Sequence, residues 1–136
     1  MKTLLVATLI FICSASFAQD KAKIIFIRDT GYFGWAADFK EFIDDEIVCM
    51  LDNKSYNTVE VLPGTHSITW QSAGKEINKF GKDLAVTMDL KAGTTYYMQM
   101  VIVKKFMKYE FAFNEVTEST GLKLIADLKE DTNCFK

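Results

Sequence analysis

In the stretch Tyr109-Glu110-Phe111-Ala112-Phe113, aromatic side chains alternate with smaller or polar ones. The same period of two runs through Thr58-Val59-Glu60-Val61, His66-Ser67-Ile68-Thr69-Trp70 and Leu84-Ala85-Val86-Thr87-Met88-Asp89-Leu90. Successive side chains of a strand point to opposite faces, so this pattern predicts strands with one face buried. Ile24 to Ile27 and Tyr96 to Val103 are more continuously apolar and read as central strands. Turn-forming residues separate these runs at Asp44-Asp45-Glu46, Asp52-Asn53-Lys54-Ser55, Pro63-Gly64 and Lys91-Ala92-Gly93. Short strands at such regular spacing predict an all-β protein, an antiparallel β-sandwich or barrel. The apolar positions from Leu122 to Leu128 fit either a short C-terminal helix or a last strand.

Pro63 is the only proline and His66 the only histidine. Proline presets φ for the second position of a β-turn, and glycine supplies the positive φ that a type II turn needs next. Leu62-Pro63-Gly64-Thr65 is therefore predicted to turn the chain between a strand at 57–62 and one at 65–71, as a hairpin. His66 shares its strand face with Ile68 and Trp70, the apolar face. It is expected to be structural, hydrogen-bonded to a nearby carbonyl or tyrosine hydroxyl, and kept neutral by burial.

Residues FKEFIDDEIVCMLDNKSYNTVEVLPGTHSITW resemble a bacterial domain-of-unknown-function family of small secreted proteins and lipoproteins, similar to the PEGA-type domains. In that family a strand ends in an aliphatic-Asp-Gly turn. A second strand leads to an Asn-Gly-type turn followed by tyrosine, and Pro-Gly-x-His opens the next strand. Ile43-Asp44-Asp45, Asn53-Lys54-Ser55-Tyr56 and Pro63-Gly64-Thr65-His66 stand in those places. Ala92-Gly93 with Tyr96-Tyr97 looks like the family's Ala-Gly-x-x-Tyr-Tyr step. FIRDTGYFGWAADFK looks like its Phe-x-Arg first strand and Phe- and Gly-bearing loop. The chain departs from the pattern at Asp45 and Lys54, where glycine is usual; lysine tolerates the left-handed conformation poorly, which predicts a wider second turn. The resemblance spans most of residues 22–103. It implies a transthyretin-like or immunoglobulin-like sandwich and no established activity.

The N-terminus changes where this domain is expected to work. Lys2 precedes an apolar run, Leu4 to Ile12, broken only by Thr8, and Ser16-Phe17-Ala18 supplies small residues at the positions a signal peptidase reads. Residues 1–18 are expected to be a cleaved signal peptide, leaving residues 19–136 as one domain in the periplasm or outside the cell. The run is well short of the roughly 20 apolar residues that span a bilayer, and Ile12 is too large for lipidation at Cys13. Cleavage removes Lys2 and no acid, leaving 15 basic against 18 acidic side chains. A net charge of −3 argues against nucleic-acid binding. Two cysteines remain, Cys49 and Cys134. In an oxidising compartment they can bridge and pin the polar tail; the alternative is a buried free Cys49 and a loose tail.

Little catalytic chemistry is spelled out. Adjacent acids at Asp44, Asp45 and Glu46 lack the alternating ligand spacing of a calcium loop. One histidine and two distant cysteines form no zinc-ligand pair. There is no Gly-x-Ser-x-Gly turn and no phosphate-binding glycine loop. No cofactor or metal is expected. The least ordinary stretch is Gly31-Tyr32-Phe33-Gly34-Trp35-Ala36-Ala37, with three large aromatics in a loop. Tyr32, Phe33 and Trp35 are candidates for a binding patch. The cost of exposing them favours a loop that folds over an open end of the sandwich and plugs its core. The leading functional expectation is a non-enzymatic binding or structural module of the cell envelope, with an envelope protein or other surface component as partner. The alternatives are an apolar-cavity carrier lined by Met88, Met98, Met100 and Met107, and a small hydrolase using His66.

Overall fold

The structure, a computed structural model, describes residues 20–135. Residues 1–18, expected to be a signal peptide, and the expected cleavage site lie outside the described residues. Nine strands and two short helices follow in the order β1 Ala22–Arg28, β2 Phe39–Ile43, β3 Glu46–Leu51, β4 Ser55–Val61, β5 Gly64–Gln71, α1 Lys79–Asp83, β6 Val86–Leu90, β7 Thr95–Lys105, β8 Lys108–Val116, α2 Glu118–Ile125 and β9 Lys129–Glu130. They build the expected β-sandwich from a five-stranded sheet, β8-β7-β1-β4-β9, and a four-stranded sheet, β3-β2-β5-β6. Pairing is mostly antiparallel, but β1 runs parallel to β7, and β4 parallel to β9. The ambiguous segment Leu122 to Leu128 is helical as far as Ile125, as the end of a helix with Thr117 as its N-cap.

Period two decides what is buried. Ala22, Ile24 and Phe26 of β1, with Met98 and Met100 of the neighbouring β7, pack with Phe39 and Ile43 of β2 and Ile68 and Trp70 of β5 in one core. Phe39 is central: its ring centroid lies 4.4 Å from that of Trp70 and 5.1 Å from that of Phe111. Tilted and edge-on aromatic pairs of this kind add to the area they bury. Outside the core, α1 covers the far face of β5, where Thr69 donates to the Gly81 carbonyl at 2.6 Å. Helix α2 lies against β7 through Gly121, where a Cβ would fall 2.1 Å from the Tyr97 ring.

The hairpin expected at Pro63-Gly64 does not form. The chain bends there, with Gly64 at φ +136°, but β4 and β5 belong to different sheets. The connection is a crossover between layers, because β4 is already paired with β1 and β9 on its two edges. A two-residue hairpin forms instead between β2 and β3 at Asp44-Asp45, both at positive φ, the type I′ geometry that matches strand twist. Lys54 adopts positive φ as well, in the short crossover from β3 to β4.

Cys49 and Cys134 are bonded as a disulfide. After β9 pairs with β4, the tail passes to the other sheet. Met50 N–H donates to the Asn133 carbonyl at 2.9 Å, and Phe135 N–H to that of Val48 at 2.8 Å. The tail thus straps the exposed edges of both sheets, with the disulfide as its clasp.

Candidate functional site

The segment 29–38 carries the chain from β1 to β2, and so from one sheet to the other. Two successive turns shape it: Phe33 N–H donates to the Thr30 carbonyl at 3.1 Å, and Ala37 N–H to that of Gly34 at 2.9 Å. Each turn contains a glycine at positive φ, Gly31 and Gly34, where a side chain would be strained.

Arg28, fully buried at the end of the core face of β1, fixes this loop from inside. Its guanidinium donates to the carbonyls of Gly34 at 2.5 Å, Ala37 at 2.8 Å and Leu51 at 2.7 Å, and lies 4.0 Å from the centre of the Phe39 ring. Burial lowers its pKa, opposed by Asp52 and Asp38; an arginine remains charged through such a shift. Asn53 holds the other side. Its amide donates to the Gly31 carbonyl at 2.7 Å, while its oxygen accepts from the Thr30 N–H at 3.1 Å.

With its carbonyls turned inward, the loop turns its aromatics outward. Tyr32 is 94% exposed, Trp35 69% and Phe33 50%. The expectation that these three plug the core is therefore overturned; Phe39, Trp70 and Phe111 already fill that end of it. Phe33 leans on Tyr109 of β8, with ring centroids 5.2 Å apart. Gly31, Tyr32, Trp35, Asn53 and Lys54 surround a depression of about 510 Å³, within the usual size range of small-ligand sites.

His66 is engaged at both nitrogens. Nδ1 lies 2.6 Å from an Asp44 carboxylate oxygen and Nε2 2.7 Å from the Leu62 carbonyl. Both partners are acceptors, so both nitrogens must carry hydrogen. The Asp44 hydrogen bond raises the His66 pKa, overcoming burial and helped by Leu62. The neutral ring expected from burial is corrected: this geometry favours imidazolium. Partial burial pushes the Asp44 pKa up, but the Ser67 N–H and His66 outweigh it and hold it below the usual value. Asp44 thereby ties the β2–β3 hairpin to the start of β5, and leaves His66 no free nitrogen to act as a base.

Folding raises the His66 pKa, so the folded state holds more protons and stability falls as pH rises. The contribution is complete below the ordinary pKa of 6.5 and is lost as pH climbs through the raised value. Melting temperatures from about pH 6 to about pH 9 should fall faster in the wild type than in Asp44→Asn. Parallel curves, or a wild type that gains stability over that window, would contradict the pairing.

Sequence reasoning missed a second polar pair, between the sheets. Glu41 of β2 is fully buried and accepts from the Asn57 amide of β4 at 2.8 Å. Burial raises its pKa well above 4.5, opposed by the Asn57 bond. Its other oxygen and the Asn57 oxygen are both without partners. A protonated Glu41 has the one donor that the Asn57 oxygen lacks, so a neutral acid fits this place better than a carboxylate. The signal was in the strand period: Glu41 shares its strand face with Phe39 and Ile43, as Arg28 does with Phe26.

Of the methionines, Met88, Met98 and Met100 are packed in the core and Met107 is exposed. Among the described residues no group of three or more His, Cys, Asp or Glu stands where it could hold a metal ion, and no helix is long and apolar enough to cross a membrane. No family model, curated protein or solved structure matches the chain.

Proposed function

We propose that this chain is an exported, non-enzymatic binding or structural module of the cell envelope, and that it engages its partner through Tyr32, Phe33 and Trp35. The observation that carries this reading is the mismatch between the loop's interior and its exterior. Its backbone is held by a buried arginine, an asparagine and two turns, while its largest side chains face water. Rigid aromatics on a fixed scaffold give large contact area at little ordering cost on binding. The engagement of both His66 nitrogens supports a non-catalytic role for that residue, and the signal-like N-terminus supports export. The resemblance to the PEGA-like secreted family agrees with this reading and brings no activity with it.

The test is capture from envelope extract by the chain lacking residues 1–18, beside its Trp35→Ala variant. With Trp35 largely solvated, the substitution should change stability by no more than about 0.5 kcal/mol and abolish capture of the partner. A variant destabilised by about 3–5 kcal/mol, or one that captures the same partner as the wild type, would refute the assignment.

A further inference from the structure

A second exposed feature lies beside the aromatic loop and uses different side chains. Strand β1 pairs with β7 only as far as Met100, opposite Arg28. Strands β7 and β8 stay paired beyond that point, out to Lys105 opposite Lys108. Val101–Lys105 and their partners thus form a two-stranded ribbon, about 17 Å long at a strand's rise per residue. Phe106 and Met107 are its turn, 93% and 92% exposed.

This tip breaks three local rules within five residues. Two large apolar side chains sit side by side in water. Met107 holds φ at +62°, rare for a bulky residue. Lys105 and Lys108 stand directly opposite each other, a like-charge pairing that weakens a ribbon. Glu110 bonds both lysines and relieves part of that repulsion; Lys104 beside them adds a third positive charge. None of these costs is returned in packing, which is how a functional element departs from the rules of a fold.

We infer that the β7–β8 tip docks on an anionic lipid surface, with Phe106 and Met107 entering the headgroup–acyl boundary and Lys104, Lys105 and Lys108 meeting the phosphates. The charge pattern selects this occupant. An acidic chain concentrates three lysines against one glutamate around two apolar side chains, the combination that binds anionic membranes. The shape agrees, because a narrow convex turn offers far less than the roughly 800 Å² per partner of a standard protein interface. Seven of the eleven exposed large apolar side chains among the described residues lie on this ribbon and the aromatic loop, joined by the Phe33–Tyr109 contact. Apolar exposure is thus concentrated at one end of the sandwich.

Cosedimentation of the chain lacking residues 1–18, which contains the whole described fold, tests this. It should bind vesicles of phosphatidylcholine containing phosphatidylglycerol and not vesicles of phosphatidylcholine alone. The double variant Phe106→Ser/Met107→Ser should keep its melting temperature and lose about tenfold or more in partitioning. Lys104→Gln should weaken binding roughly fivefold, and added salt should act in the same direction. Absence of binding to the anionic vesicles, or undiminished binding of a folded double variant, would overturn the inference. So would a dimer that the double variant dissociates, found together with no vesicle binding.

Discussion

Replacing Arg28 with methionine is expected to cost about 3 kcal/mol of folding stability and to loosen the loop at 29–38. The guanidinium makes three short bonds to carbonyls of Gly34, Ala37 and Leu51. Hydrogen bonds to a charged group contribute about 1.5–3 kcal/mol each. Desolvation of a fully buried cation offsets part of that sum, which leaves a net loss near the lower figure for two bonds. Methionine fills similar space against Phe39 but donates nothing, so the Leu51 carbonyl is left buried without its partner. Lysine keeps the charge but not the fork, and cannot reach three carbonyls with that geometry. Arg28→Lys should therefore fall between the two. A lower denaturation midpoint at unchanged slope would report the loss; a methionine variant as stable as the wild type would mean that the loop is held by its turns and Asn53 alone.

Opening the Cys49–Cys134 bridge should cost a comparable or larger amount, on the order of 4 kcal/mol in the chain-entropy picture. The bonded residues are 85 apart in sequence, so the closed loop takes in every element from β4 to β9. The released tail would also give up its place along β3, where Met50 and Phe135 donate to it and from it. Cys134→Ser is the suitable variant, since Cys134 is exposed and Cys49 is fully buried. Its unfolding midpoint should drop, and amide exchange should quicken at Met50 and Phe135 before it does in the core strands. Equal stability with and without reductant would contradict the role given to the clasp.

Much of this fold was legible because strand burial follows a period of two. The alternation at 66–70 and 109–113 placed β5 and β8, and the turn residues fell between strands. Topology was less legible. Pro63-Gly64 has the composition of a hairpin, yet whether it folds a strand back or passes it to the other layer depends on the edges of β4, which are taken by strands distant in sequence. The helix at Lys79–Asp83 is too short to show a period, and its support comes from Thr69 and Gln71 on β5.

The candidate site divides the same way. Tyr32, Phe33 and Trp35 could be picked out by residue type alone. Their direction could not, because it depends on Arg28 drawing the carbonyls of Gly34 and Ala37 inward, and on Phe39, Trp70 and Phe111 having already filled the space below. A lone arginine at the end of an apolar strand face carries that information only when it is read as a buried donor. Glu41 and Asn57 were hidden for a related reason: each sits on a core face, but their pairing joins two sheets. The lysines and the Phe106-Met107 turn of the ribbon lay in plain view in the sequence, inside a run that otherwise looks like ordinary strand.

Trp35 stands on a rigid loop and faces water. The most direct test of this placement is the fluorescence of a Trp70→Phe variant, in which Trp35 is the remaining indole. The loop geometry predicts emission typical of a solvated indole, ready quenching by acrylamide, and an anisotropy close to that of the whole tumbling molecule. A shielded, blue-shifted indole would return Trp35 to the core, and a freely rotating one would deny the loop its rigidity; either result would contradict the account.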